Sequence, residues 1–207
     1  MRPNRGWLLV TWWLLTSLGD PVVRIAESDA GSQGWKLYTN ARFGFSVRYP
    51  TDWRLGDPMP DGIGIALYPT AEGSQVALSG FMNLVQGTSQ DGRQTLQEFA
   101  TAHRRIITEL YDKKHQVIAW QENQDTTLAG HPAKRLAFTY QNDRGQTMQE
   151  IHIFSLGRNE GRGVRIKVPA AAHKAFMPVT DQVLGTFDPG RDQNAVSPFV
   201  PKEKSDR

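Results

Sequence analysis

The 207-residue chain has no cysteine. Disulfides, a Cys-ligated zinc site, a thiol nucleophile and a lipid-modified N-terminal cysteine are thereby excluded, so stability has to come from packing. Charge of one sign is scarce as well: 24 basic against 21 acidic side chains leave +3, a surplus that does not point to nucleic acid. The sequence holds no G-x-S-x-G elbow and no P-loop, and Gly62-Ile63-Gly64 lacks the third glycine of a dinucleotide fingerprint. Gly157, Gly161 and Gly163 lie between two strand-like segments, where a hairpin turn is expected and a phosphate cradle is not. No dense acidic loop of the calcium-binding kind is present. With the common catalytic signatures missing, a non-enzymatic protein is expected.

What is present begins with Arg2 and Arg5 ahead of an uncharged apolar run, Gly6 to Leu18. The run is shorter than the ~20 residues of a membrane span and reads as a secretory signal peptide over residues 1–19. Small residues at Ser17 and Gly19 place cleavage after Gly19, with Ser28 and Ala30 as a later alternative. Left uncleaved, the segment would tether the domain to a membrane through its interface-seeking tryptophans. Either fate makes the domain extracytoplasmic: periplasmic, lumenal or secreted. Residues 1–30 hold three bases (Arg2, Arg5, Arg24) and three acids (Asp20, Glu27, Asp29), so their removal leaves the net charge unchanged. Residues 20–34 are expected to be a linker, 35–187 one globular domain, and the Pro-, Lys-, Asp- and Ser-rich residues 188–207 a disordered tail.

Within the domain, Trp35 to Tyr38 reads as a short strand, and Asp57 to Gly62 as a loop. Ile63 to Tyr68 and Gln75 to Val85 read as strands, the second apolar on both faces and so central. Thr95 and Glu98 have capping-box spacing, followed by the stripe Leu96, Phe99, His103, Ile106, Ile107 and Leu110 of an outer-layer helix. Gln116 to Thr127, Ala133 to Tyr140, Met148 to Leu156 and Arg162 to Val168 follow as four strands joined by turn-rich linkers, the pattern of an antiparallel meander. Ala170 to Leu184 is helix-forming, with Pro178 expected to kink or split it and Phe187 as the last buried residue. This order predicts an α+β protein, a mainly antiparallel β-sheet flanked by helices.

One stretch is more specific. In Phe43-Gly44-Phe45-Ser46-Val47-Arg48-Tyr49-Pro50-Thr51-Asp52-Trp53, residues Phe45, Val47 and Tyr49 share one strand face, Pro50 ends the ladder, and Trp53 folds back as an apolar plug against the preceding strand. This order resembles the opening of the PsbP family, whose founding members are extrinsic lumenal subunits of the photosystem II oxygen-evolving complex. Thr127-Leu128-Ala129-Gly130-His131-Pro132-Ala133, the strand end Phe138-Thr139-Tyr140 and the closing Val183-Leu184-Gly185-Thr186-Phe187 support the resemblance, which covers most of residues 35–187. It implies a PsbP-like α-β-α sandwich. The same fold serves a Ran-binding nuclear import factor and many exported bacterial proteins of unknown role, so it does not carry one function.

Candidate site residues are few. His103, His115, His131, His152 and His173 are spread over separate elements without an i, i+4 pair. His103 falls on the helix stripe and is expected at the core edge. Glu150 and His152 share a strand face, where a third ligand from a neighbouring strand would complete a divalent-metal site; the plain alternative is a solvated pair. The resemblance adds that family members have been associated with calcium and manganese. Basic residues gather at Arg104-Arg105, Lys113-Lys114 and around Arg158, Arg162, Arg165 and Lys167. Because Val164, Ile166 and Val168 point one way, Arg165 and Lys167 would form an outward ridge, which with Arg104 and Arg105 would face an acidic partner or anionic headgroups; the plain alternative, and the commoner one, is a solvated outer face. The leading expectation is an exported, non-enzymatic domain, without a cofactor, that binds or stabilises a protein partner at or near a membrane. The alternatives are a periplasmic small-molecule or metal-binding module with its cavity between sheet and helix, and a photosystem II extrinsic accessory protein.

Overall fold

The computed structural model describes residues 34–83, 87–114, 116 and 118–190. The expected signal peptide, most of the linker, the greater part of the expected tail, and His115 lie outside the described residues. No helix among the described residues is long and apolar enough to cross a membrane.

Strands β1 (Trp35–Thr39) and β2 (Ser46–Pro50) pair antiparallel, Trp35 opposite Pro50. Beside them stands a seven-stranded sheet in the order β3-β4-β5-β9-β8-β7-β6, every neighbouring pair antiparallel. Its members are β3 (Arg54–Pro58), β4 (Gly64–Tyr68), β5 (Gln75–Met82), β6 (Ile118–Leu128), β7 (His131–Gln141), β8 (Thr147–Leu156) and β9 (Glu160–Pro169). Helix α1 (Leu96–Lys113) lies between β5 and β6 in the chain, and α2 (His173–Gly185) follows β9. The meander β6-β7-β8-β9 is the one expected. Its first hairpin turns at Ala129 and Gly130, both with positive φ (50° and 80°), the signature of a type I′ turn that matches strand twist. β5, central as expected, is held between β4 and β9, some eighty residues downstream in the chain.

Both sheet faces are covered. On one, Phe45, Val47 and Tyr49 of the β2 stretch and Phe176, Val183 and Phe187 of the C-terminal segment pack against Leu67, Val76, Ile151, Val164, Ile166 and Val168. On the other, Ile107 and Tyr111 of α1 meet Phe138, Tyr140 and Met148, and Ala100 meets Leu136 and Phe154. The result is the expected α+β arrangement, a mainly antiparallel sheet between helical layers.

Several details differ from the sequence reading. Asp57 and Pro58 belong to the edge strand β3 rather than to a loop. Trp53, buried as expected, stacks on Phe176 of α2 with ring centroids 5.9 Å apart and planes 14° from parallel, so its plug closes on the helix. α2 runs unbroken through Pro178. Pro178 and Lys174, whose carbonyl would have accepted the missing N–H, both sit on the exposed side, so the carbonyl is not orphaned in the core. The fold also continues past Phe187: Ser46 and Asp188 exchange backbone hydrogen bonds at 2.9 Å.

Arg162 is not part of a basic surface. On β9 it shares the inward parity of Val164, is fully buried, and pairs with Glu160 at 3.2 Å. Its other donors go to the carbonyls of Phe43 (2.8 Å), Gly161 (3.0 Å) and Pro189 (3.1 Å). A buried guanidinium is tolerable only with this degree of satisfaction, and here it ties both ends of the domain to the sheet.

Candidate functional site

Helix α1 is fixed at its start by the expected capping box. Thr95 Oγ1 accepts from the Glu98 N–H at 3.2 Å, and Glu98 Oε2 accepts from the Thr95 N–H at 2.8 Å. The Thr95 N–H, the Thr95 hydroxyl (2.8 Å) and the Thr88 N–H all donate to the Glu98 carboxylate and hold it down to about 2. The register so set buries Ala100, His103, Ile107 and Tyr111 against the sheet and leaves Gln97, Thr101, Arg104, Arg105 and Glu109 exposed. On β8 the facing residues are Met148, Glu150, His152 and Phe154, an apolar–polar–polar–apolar sequence at strand period.

These two elements meet in a buried polar chain. His103 Nε2 lies 2.9 Å from His152 Nδ1, His152 Nε2 lies 2.7 Å from Glu150 Oε1, and the Tyr111 hydroxyl donates to Glu150 Oε2 at 2.8 Å. An ionised carboxylate only accepts, so His152 donates from Nε2 and a single proton sits between the two imidazoles. His103 is walled by Phe99 (5.8 Å) and Phe154 (5.3 Å), and His152 by Phe138 (5.8 Å). Burial, reinforced by His152, holds His103 well below the ordinary histidine range. For Glu150 burial acts upward, yet the His152 hydrogen bond and charge, Arg165 and Tyr111 together outweigh it and bring the carboxyl to about 2. Burial, followed by the Glu150 charge, raises the Tyr111 hydroxyl far above its usual range, so it stays a donor.

The chain forms the floor of a cleft of about 550 Å³ between the C-terminal half of α1 and the sheet. Ile106, Ile107 and Leu110 make its apolar wall, while Arg165, Lys167 and Lys114 line it with positive charge. Register explains the placement: on β9, Lys167 stands opposite Glu150 and Arg165 opposite His152. Arg165 Nη2 also donates to Gln75 Oε1 at 2.9 Å. No Ser, Thr or Cys lines the cleft among the described residues.

The expected ridge is divided by this geometry. Arg165 and Lys167 face the cleft, whereas Arg104 lies over the Trp120 ring of β6 at 4.7 Å and Arg105 approaches Glu109 at 3.9 Å on the exposed side of α1. Glu150 and His152 share a strand face as expected, but they are buried rather than solvated. Their facing atoms are spent on each other and on Tyr111, and no group of three His, Cys, Asp or Glu side chains among the described residues is arranged to hold a metal ion. Tyr111 and the meeting of His103 with His152 are absent from the sequence reading. The usable signals were the four-residue steps His103, Ile107, Tyr111 on α1 and the apolar Met148 and Phe154 that flank Glu150 and His152 on their own strand face.

The fold is the PsbP-type α-β-α sandwich. The solution structure of cyanobacterial PsbP (CyanoP) from Synechocystis sp. PCC 6803 superposes with a TM-score of 0.58 at 10% identity, over 78% of this chain and 95% of that one. Also similar are a protein of unknown function and putative regulator, PA94, from Pseudomonas aeruginosa (TM-score 0.45, 16% identity, 77% and 99% of the two chains) and LpqN of Mycobacterium tuberculosis, involved in cell envelope biogenesis (0.45, 15%, 76% and 85%). No family model and no curated protein matches the sequence.

Proposed function

We propose that the chain is an exported, non-enzymatic binding domain that takes a small molecule in the cleft between α1 and the sheet. The observation that carries this reading is the cleft of about 550 Å³ walled by Ile106, Ile107 and Leu110 and floored by a hydrogen-bonded polar chain. Its volume falls in the ~300–1,000 Å³ range of ligand pockets, and the mixture of an apolar wall with a few fixed polar groups is their usual composition. The absence of Ser, Thr and Cys among the described lining residues, with the Tyr111 hydroxyl and both oxygens of Glu150 engaged, supports binding over turnover. Export is supported by the basic start and short apolar run of residues 1–18. A photosystem II role, or docking on a membrane-associated protein, has behind it only a fold that serves several functions, plus a set of basic residues that does not converge on one face.

Native mass spectrometry of the full chain, purified without denaturant, tests the reading against Ile106→Trp, which fills the cleft without adding charge. A small molecule retained by the parent chain and lost in the variant is expected. A ligand retained equally by both would contradict the assignment of the cleft.

A further inference from the structure

The lining of the cleft also points to what class of molecule enters it, on the assumption that the cleft is the binding site. Ile106, Ile107 and Leu110 recur on one side of α1 and give a continuous apolar wall. Opposite and around it stand three cations, Lys114 at the helix end and Arg165 and Lys167 on β9. Arg165 offsets the Glu150 charge, which leaves Lys114 and Lys167 against the single remaining acid of the lining, Asp143. Glu150 lies on the floor with one oxygen accepting from His152 and the other from Tyr111, and Asp143 at the rim accepts from Gln116 at 2.8 Å. With His103 held neutral by burial, three cations face two carboxylates, so the lining carries a surplus of one positive charge. Low-dielectric walls strengthen such a field toward an entering charge. The amines of Lys114 and Lys167 lie over the Tyr111 and Tyr140 rings, 5.9 Å from each ring centre, and all four residues line the cleft.

We propose that the cleft binds a small organic anion with an aliphatic or aromatic body, its anionic group held by Lys114 and Lys167 and its body laid against Ile106, Ile107 and Leu110. A cation would meet the positive surplus, and a fully polar anion would leave the apolar wall wet. Recognition therefore needs both halves of the ligand at once.

Fluorescence titration of the full chain with anilinonaphthalene sulfonate, followed by competition with decanoate, decyltrimethylammonium or decyl maltoside, tests this. Saturable binding at one site per chain is expected, displaced by decanoate and not by the cationic or neutral competitor. The double variant Lys114→Gln/Lys167→Gln should weaken decanoate about tenfold, the loss for a charged hydrogen-bonded contact, with an unchanged melting temperature. Equal displacement by all three competitors, or an unchanged double variant, would overturn the anionic class while leaving the cleft as the site. Ile106→Trp and Leu110→Trp, each checked by thermal melting, decide the cleft itself: a folded variant that binds the dye as the parent does, or a parent chain with no saturable binding, would overturn the underlying reading instead.

Discussion

His103 on α1 and His152 on β8 stand with ring nitrogens 2.9 Å apart, and that contact joins the outer helix to the centre of the sheet through two side chains separated by 49 positions in the chain. Both rings are buried, and the second is committed to a buried carboxylate. Proton uptake at this pair therefore acts on the packing of α1.

Stability should fall on mild acidification. His103 has a folded value depressed well below 6.5, so its contribution is fully present above the unfolded pKa near 6.5 and is lost as the pH falls below it, by about 1.4 kcal/mol per pH unit for one proton. Glu150, lowered from 4.5 to about 2, contributes in the same direction, its share present above pH 4.5 and lost between 4.5 and about 2. Urea unfolding midpoints at pH 7.5 and 5.5 should differ in the parent chain and differ less in His103→Phe; equal midpoints in the parent would refute a neutral buried His103.

Trp53→Ala should cost ~3–5 kcal/mol, the range for truncating a buried aromatic. Because Trp53 stacks on Phe176, a double-mutant cycle with Phe176→Ala should show about 0.5–1.5 kcal/mol of coupling. Additive losses would mean that the stack contributes only area.

Arg162→Ala leaves Glu160 buried without its cation and strips the donors from the Phe43 and Pro189 carbonyls, so a loss of ~3–5 kcal/mol is expected. Replacing both charges, as Arg162→Met with Glu160→Leu, should recover part of it. Chemical denaturation would show the opposite ordering if the pair were solvated.

Protein purified without chelators is expected to hold no stoichiometric zinc or manganese, since Glu150, His152 and Tyr111 satisfy one another. One equivalent by elemental analysis, lost in Glu150→Gln and in His152→Ala, would reverse that reading.

Much of the architecture was legible because local signals agreed with the tertiary environment. Thr95 and Glu98 cap α1 as their spacing says, and Val164, Ile166 and Val168 face the core as period two requires. The misses at polar positions share a physical origin, that burial of polar groups depends on partners distant in sequence. Arg162 looks solvent-bound until Phe43, Glu160 and Pro189 are placed around it. Glu150 and His152 look solvated until α1 brings His103 and Tyr111 over them. β3 was obscured because Arg54-Leu55-Gly56-Asp57-Pro58 offers little apolar alternation and, as an edge, needs little.

The most direct measurement is amide chemical-shift mapping of the isotope-labelled full chain during a screen of small organic fragments. Shifts concentrated on the C-terminal half of α1 and on the facing residues of β8 and β9, abolished by Ile106→Trp, are the expected result. Fragments that bind elsewhere, or that shift the same amides equally in the filled variant, would contradict a ligand site between α1 and the sheet.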